Sequence, residues 1–307
     1  MNSSKVMRSR LVIPINVDKF IQKAVERNAD LIVLDLEDSI PETQKDEARL
    51  RIPEAINQLS FNITPVYIRV NADKDLLYKD IEQAVMDGVA GIILPKAESE
   101  QVIQEVDEFI TVLEKKKHLQ VGTFKISLLI ETAKGMQALN DVLKSSDRID
   151  TVSIGMEDLS ADMGFMINER TTDALNIFRM QLVTAAVANN VLPMGTMGSI
   201  SNYTDLDKYR KHVREAFELG FVGTSCIHPN QVAILNEVFH YNDEELKEAK
   251  EIVDTFEKAL EQGRASSSYK GQMIDYPHYA KYKQVVERNK DIIDYEHQKY
   301  KERERSL

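Results

Sequence analysis

Eight short apolar runs alternate with eight amphipathic segments between residues 10 and 240, and this alternation predicts an α/β fold, a (β/α)8 TIM barrel. The eight units occupy about 230 residues, close to the usual size of such a barrel. An open doubly wound sheet is the alternative, but it rarely extends to eight evenly spaced units. Beyond residue 240 the pattern changes to charged helical segments. We therefore expect a catalytic barrel over residues 1–240 and a C-terminal helical lid extension over residues 241–307.

Each predicted strand is a short apolar run of the kind that parallel sheets bury on both faces. The strands are predicted at residues 10–15, 31–36, 65–70, 91–94, 125–130, 151–154, 192–196 and 221–227. Helical spacing of apolar residues predicts the helices at 18–28, 42–58, 78–87, 99–117, 135–144, 173–190, 207–219 and 231–239. The segment 155–168 after the sixth strand is predicted to be a long loop.

The C-terminal part begins with a predicted acidic helix over residues 243–262, which has one apolar face. A flexible loop over 263–271, rich in small residues, and a charged helix over 278–305 are predicted to follow. This part is too short to hold its own core, so we expect it to pack on the barrel or on a neighbouring subunit.

Composition excludes several classes of function. The net charge of −11 argues against a nucleic-acid surface, which needs clustered Lys and Arg. The basic clusters at 5–10 and 115–117 are interpreted as solvated surface. No window is long and apolar enough for a membrane span, and the N-terminus lacks the apolar stretch of a signal peptide, so we expect a cytoplasmic enzyme. The single cysteine, Cys226, is expected to be a buried thiol.

Acidic residues follow several predicted strands, at the face where barrels build active sites. Glu131 and Asp158 follow the fifth and sixth strands, one βα repeat apart, so their carboxylates are predicted to share one cation. Without a His or Cys to match, oxygen ligands favour Mg2+. A structural ion pair, or a helix N-cap by Asp158, is the alternative.

Other charged residues also fall near strand ends. Arg69 ends the third strand and is predicted to pair with a carboxylate or to hold a substrate oxygen. Glu37 and Asp38 end the second strand; one would orient a metal-bound water or Arg69 and the other would cap a helix, and the pattern does not separate these roles. Lys96 is more consistent with charge balance than with a Schiff base. His228 is expected to cap or pack.

Eight motifs in order along the chain resemble the citrate lyase β-subunit-like (CitE-like) branch of the HpcH/HpaI aldolase superfamily, which includes malyl-CoA, citramalyl-CoA and citryl lyases. They are RSRLVIP at 8–14, LDLEDS at 34–39, IRVN at 68–71, LPK at 94–96, IETAKG at 130–135, GMEDLSADMG at 155–164, IHPNQ at 227–231 and MIDYP at 273–277. The chain departs from the family at Ile15, where a Gly is common, and at Asp18, where a Pro is common. That loop contacts the acyl-CoA side in the family.

The resemblance implies Mg2+ held by Glu131 and Asp158, with Arg69 as the catalytic arginine. It also implies a homotrimer or hexamer in which the C-terminal segment closes over a neighbour's active site and delivers Asp275 as a catalytic acid or base. A flexible loop that carries a lone acid suits such a lid, although an N-cap is the alternative for Asp275. Lys19, Arg69, Glu37 and Asp38 are assigned to substrate or CoA binding, and the basic residues at 5–10 to a soluble carrier.

The function expected from the resemblance is a Mg2+-dependent carbon–carbon lyase. It would cleave a malyl-, citramalyl- or citryl-CoA type of 3-hydroxyacyl thioester to an acyl-CoA and a 2-oxo acid such as pyruvate, glyoxylate or oxaloacetate. The alternatives are a malate synthase-like enzyme that condenses these partners and hydrolyses the thioester, and a citrate lyase β subunit that depends on an acyl carrier protein. A pyruvate-type aldolase without CoA is disfavoured, because that branch uses a His base near the second strand.

Overall fold

The computed structural model describes residues 6–59, 63–201 and 203–306. Contacts divide the chain into two compact units, Met7–Phe239 and a C-terminal unit that starts at His240. Within the described residues, no helix is both long enough and apolar enough to cross a membrane.

The first unit contains eight parallel strands, as the sequence predicts, in the order β7-β6-β5-β4-β3-β2-β1-β8. A parallel bridge between Met194 and Gly223 joins the two outer strands, and the N–H of Gly195 donates to the carbonyl of Gly223 at 2.8 Å. The barrel is thereby nearly closed, with every strand's carboxyl end at one face. The strands are β1 Ser9–Pro14, β2 Leu31–Asp35, β3 Val66–Arg69, β4 Gly91–Leu94, β5 Lys125–Ile130, β6 Ile149–Ile154, β7 Leu192–Met194 and β8 Thr224–Cys226.

Helices follow the strands, with boundaries set by local capping. The helix after β3 begins at Lys74 rather than at the predicted 78, because the Asp73 side chain accepts the N–H groups of Asp75 and Leu76. The predicted long loop at 155–168 contains a helix, Met156–Asp162. The α-helices of this unit are α1 Asp18–Ala24, α2 Lys45–Leu50, α3 Ile52–Leu59, α4 Lys74–Ala84, α5 Glu100–Lys116, α6 Ala133–Gln137, α7 Leu139–Lys144, α8 Met156–Asp162, α9 Glu169–Ala188, α10 Leu206–Glu218 and α11 Pro229–Val238.

The N-terminal basic cluster is not solvated surface, and this corrects the prediction for residues 8 and 10. Arg8 and Arg10 are almost fully buried, whereas Lys5 lies outside the described residues. Arg8 forms a bidentate ion pair with Asp30, at 2.8 Å from Nε and 3.1 Å from Nη2. Arg10 points into the barrel, so neither arginine is available to a soluble carrier. Cys226 is a buried free thiol, as expected.

The C-terminal unit contains α12 Asp243–Glu261, a hairpin of β9 Ser267–Tyr269 and β10 Gln272–Ile274, and α13 Tyr276–Ser306. The hairpin replaces the predicted flexible loop. Lys270 and Gly271 form its turn with φ angles of 47° and 82°, the two left-handed residues that a tight type I′ hairpin requires. A small core forms where Phe256 packs with Ile252 and Ile274, which the sequence analysis did not expect in so short a segment.

Candidate active site

A pocket of about 310 Å³ opens at the carboxyl ends of the barrel strands. Four of the predicted site residues line it together: Asp38, Arg69, Glu131 and Asp158. Three others do not. Glu37 lies beside Arg69, Lys19 is exposed on α1, and Asp275 belongs to the C-terminal unit.

Arg69 is the centre of an ion-pair cluster. It ends β3 directly opposite Asp35, the last residue of β2, and the two form a bidentate pair with Nε–Oδ1 at 2.6 Å and Nη2–Oδ2 at 2.7 Å. Burial alone would raise the pKa of Asp35, but the hydrogen bonds and charge of Arg69 hold it below its ordinary value. The pair fixes the guanidinium at the pocket wall, as bidentate geometry does.

The remaining donor of Arg69, Nη1, contacts two further carboxylates, Asp38 at 3.0 Å and Glu37 at 3.2 Å. Asp38 is mostly exposed, whereas Glu37 is buried. Burial raises the pKa of Glu37 to about 8, against the attraction of Arg69 and with help from the charges of Glu131 and Asp38. The structure thus distinguishes the environments of two residues that the sequence could not tell apart. Glu37 is a buried carboxyl with a pKa near neutral pH, and Asp38 is solvated.

Glu131 and Asp158 lie on neighbouring elements of the same pocket. Glu131 directly follows β5, and its Oε2 accepts the backbone N–H of Lys96 at 3.1 Å. Asp158 is in the first turn of α8 rather than in the predicted loop. Gly155 makes room for the Glu131 carboxylate, because a Cβ at that position would lie 2.8 Å from Oε1. Burial, followed by the charge of Asp158, raises the pKa of Glu131 to about 7.

This donor set fits Mg2+. Within the described residues there is no group of three or more His, Cys, Asp or Glu side chains arranged to hold a metal. However, Mg2+ commonly takes one or two protein carboxylates and completes its coordination with water and substrate oxygens. A dication held by Glu131 and Asp158 would offset the burial and the repulsion from Asp158 that raise the pKa of Glu131.

Two residues that the sequence analysis considered have structural roles. The side chain of His228 caps α11 by accepting the N–H of Asn230 and stacks on Tyr203 with ring centroids 5.1 Å apart, as expected. Lys96 has an exposed side chain, and it contacts the site through its backbone N–H.

The sequence did not indicate the roles of several residues at or beside the pocket. Asp35 pairs with the pocket residue Arg69; an acid inside a strand does not by itself predict a partner, although the arginine on the next strand was an available signal. Arg10, Arg179 and Thr196 line the pocket itself. Arg179 lies in the middle of α9, where sequence alone does not distinguish an inward-facing arginine from a surface one.

The barrel fold agrees with comparisons with known proteins. A family model described as HpcH/HpaI aldolase/citrate lyase matches residues 8–229. The chain belongs to the HpcH/HpaI aldolase/citrate lyase family. It is an enzyme of the lyase class, since its similar relatives are lyases.

Relatives within the HpcH/HpaI family match most of the chain. L-malyl-CoA/beta-methylmalyl-CoA lyase of Cereibacter sphaeroides is 30% identical, with 93% of this chain and 95% of that protein covered. Citrate lyase subunit beta of Leuconostoc mesenteroides is 29% identical, with 90% and 91% covered. Mycobacterium tuberculosis CitE, solved with magnesium, acetoacetate and coenzyme A, has a TM-score of 0.73 at 23% identity, with 93% of this chain and 99% of that chain covered. This likeness shows a shared fold.

Proposed function

We propose that the protein is a cytoplasmic, Mg2+-dependent carbon–carbon lyase that cleaves a 3-hydroxyacyl-CoA thioester to an acyl-CoA and a 2-oxo acid. The observation that carries the proposal is the Glu131–Asp158 pair in one pocket with the ion-paired Arg69. The names of the relatives support a CoA thioester as substrate, since one acts on malyl-CoA. Magnesium and coenzyme A in the CitE structure are consistent with the same chemistry.

Glu131 and Asp158 are the residues that would hold the Mg2+. When bound, a metal there supplies Lewis acidity that lowers the pKa of a coordinated substrate hydroxyl. The structure supports this assignment through the raised pKa of Glu131 and through the space left by Gly155.

Proton transfer is assigned to Glu37. Its pKa of about 8 lies near neutral pH, where a general base combines adequate strength with a useful ionised fraction. Glu37 lies beside Arg69 rather than in the pocket lining, so in the cleavage direction it takes the hydroxyl proton through one water. The hydroxyl carbon becomes the carbonyl of the 2-oxo acid, and the carbon–carbon bond breaks. Its electron pair passes to the thioester as an enolate.

Arg69 stabilises the enolate oxygen. Asp35 holds its Nε and Nη2, so the guanidinium is oriented before the charge develops and little reorganisation is needed during the reaction. Lys19, exposed on α1, is assigned to the phosphates of the acyl carrier.

Asp275 is assigned the proton transfer at the enolate carbon, acting in the active site of a neighbouring subunit of a homotrimer or hexamer. Its side chain is partly exposed, and Oδ1 lies 2.6 Å from Nδ1 of His278. That hydrogen bond lowers the pKa of Asp275. The carboxylate is therefore ionised at neutral pH, which is the form that accepts a proton in the condensation direction.

The proposal is tested by a cleavage screen of the purified protein with malyl-, citramalyl- and citryl-CoA, with Mg2+ or with EDTA. We expect Mg2+-dependent release of a 2-oxo acid from one of them, and Asp158→Asn lowers turnover at least ~100-fold if it removes a metal ligand. Activity that survives EDTA would refute the metal assignment. Free CoA released from the condensed product would indicate the malate synthase-like alternative, and activity only on an acyl carrier protein thioester would indicate a citrate lyase β subunit.

A further inference from the structure

The active-site pocket also contains a buried arginine that has no acidic partner among the described residues. Arg179 of α9 lines it with only 4% of the residue exposed. Its Nε donates to the carbonyl of Thr196 at 3.2 Å and its Nη1 to Oδ1 of Asn176 at 2.8 Å. Across the described residues, no carboxylate forms an ion pair with it, and burial alone lowers the pKa of Arg179. Burying an uncompensated guanidinium is costly unless an anion completes the site.

Thr196, which lines the same pocket beside Arg179, gives a second and independent observation. Its Oγ1 is buried and has no hydrogen-bond partner in the described part of the chain. Buried hydroxyls normally have a hydrogen-bond partner, so a buried hydroxyl that borders a cavity and has none indicates the place of a ligand atom.

A second buried arginine, Arg10, lines the same pocket. Its Nη1 and Nη2 donate to the hydroxyls of Ser127 at 2.9 Å, Thr151 at 3.4 Å and Ser153 at 3.2 Å. Burial lowers the pKa of Arg10, and the charge of Asp150 partly opposes that effect. Barrel interiors are usually filled by branched apolar side chains. A charged, hydroxyl-lined interior that borders the pocket is therefore suited to an anion.

We propose that Arg179 and Thr196 form a subsite for a second carboxylate of the substrate, apart from the group bound between Glu131 and Asp158. This deepens the proposed function and rests on it. The 2-oxo acid that the enzyme releases is then a dicarboxylate, and Arg179 is a specificity-determining residue that selects it over monocarboxylic acids such as pyruvate.

A purely structural role for Arg179 makes a different prediction. Through the carbonyl of Thr196 it also holds the segment after β7, so its loss would weaken every ligand alike. A carboxylate subsite instead affects only ligands that carry the second carboxylate. The discriminating quantity is therefore the ratio of two affinities.

The experiment is calorimetric titration of the full chain, in Mg2+, with oxaloacetate and with 2-oxobutyrate, which has a methyl group in place of the second carboxylate. Wild type is expected to bind oxaloacetate at least ~10-fold more tightly, because charge-assisted hydrogen bonds are strong. Arg179→Gln is expected to lose about 10- to 100-fold for oxaloacetate only, because the charged donor is gone. Arg179→Lys is expected to recover part of that loss. Equal binding of both acids by wild type, or an unchanged ratio in Arg179→Gln, would overturn the proposal.

Thr196→Val keeps the test valid if Arg179→Gln does not fold. This near-isosteric change removes a hydroxyl that has no partner among the described residues, so the melting temperature is expected to be unchanged or higher while the oxaloacetate preference falls several-fold. An unchanged preference in Thr196→Val would count against the subsite. Arg210→Gln, which removes an exposed arginine on α10, is the control and should leave both affinities unaltered.

Failure of the two proposals can be told apart. A protein that cleaves none of the thioesters but shows Arg179-dependent selection of oxaloacetate would refute the lyase assignment and retain the subsite. A protein that cleaves a thioester while Arg179→Gln keeps the affinity ratio of wild type would retain the lyase and refute the subsite.

Discussion

At the scale of single residues, three carboxylates compete for one guanidinium. Asp35 takes the bidentate face of Arg69, which leaves only Nη1 for Glu37 and Asp38. Asp38 is solvated, so sharing Nη1 with Glu37 changes the free energy of its carboxylate little. Glu37 is buried and only partly compensated, and its raised pKa is the consequence. The cluster therefore orients Arg69 and creates a titratable base with the same set of contacts.

The raised pKa of Glu37 has a consequence for stability. A folded-state pKa of about 8, against an ordinary 4.5, means that the stability contribution of Glu37 is fully present below pH 4.5 and is lost as the pH rises through 8. Glu37→Gln removes this dependence. Without Mg2+, the free energy of unfolding of the variant minus that of wild type should therefore increase by about 1.4 kcal/mol per pH unit between pH 6 and 7.5.

Urea denaturation at several pH values measures this difference, and Glu114→Gln is the matched control. Burial alone would raise the pKa of Glu114, but hydrogen bonds from Arg148, Gly122 and Phe124 lower it. Glu114 is therefore ionised in both states over this range, and the cost of its substitution should stay constant. A pH-independent difference between wild type and Glu37→Gln would show that Glu37 is not a strained carboxyl.

At the scale of elements, the alternation of apolar runs was sufficient to predict the barrel. The sequence places β4 and β5 at the observed bounds, since both are short, mainly apolar runs. It did not predict α8 or the β9–β10 hairpin. Gly155 and the Lys270–Gly271 pair were taken as loop signals, whereas in the structure they begin a helix and close a tight turn.

The candidate site was predictable to a similar degree. Acids that directly follow a strand, such as Glu131, are visible because the strand's end places them at the barrel mouth. Asp35 and Arg179 were missed because their orientation depends on neighbours distant in sequence: Arg69 on the adjacent strand for the one, and the pocket beside α9 for the other. Periodicity within one element does not contain that information.

The start of α8 gives a prediction about metal binding. Gly155→Ala would place a Cβ 2.7 Å from Cγ and 2.8 Å from Oε1 of Glu131, so the carboxylate must shift. We expect Mg2+ affinity to fall at least ~10-fold, as it does when the support of a metal ligand is disturbed. Calorimetric Mg2+ titration measures the change.

Gly122→Ala is the control for the general effect of adding a methyl group to a glycine. Gly122 has a φ of 86°, and a Cβ added there would meet no described atom within 4 Å. This variant should lose about 1 kcal/mol of stability from backbone strain and keep the Mg2+ affinity of wild type. If Gly155→Ala also kept that affinity, Glu131 would not be the ligand that the site requires.

At the scale of the whole molecule, the proposed catalytic groups are divided between two units. Glu131, Asp158 and Arg69 belong to the barrel, whereas Asp275 belongs to the C-terminal unit. Asp275 lies at the start of α13, where its Oδ1 also accepts the N–H of His278 at 3.3 Å. If Asp275 only caps α13, its substitution should lower stability. If Asp275 acts in a neighbour's site, its substitution should abolish activity in a way that an intact Asp275 from another subunit can restore. Co-assembly of inactive variants distinguishes the two.

Asp158→Asn and Asp275→Asn are each expected to be inactive as homo-oligomers. Co-expressed with different affinity tags and purified through both, they form mixed oligomers in which some sites combine an intact barrel with an intact Asp275 from another subunit. In a trimer that carries both tags about one third of the sites are complete, and in a randomly mixed hexamer about one quarter, so activity should recover to about that fraction of wild type. Asp158→Asn co-expressed with Glu131→Gln is the control, because every site then lacks a metal ligand and no activity should return. Mixed oligomers of the first pair that are no more active than this control would show that Asp275 does not act in a neighbouring subunit.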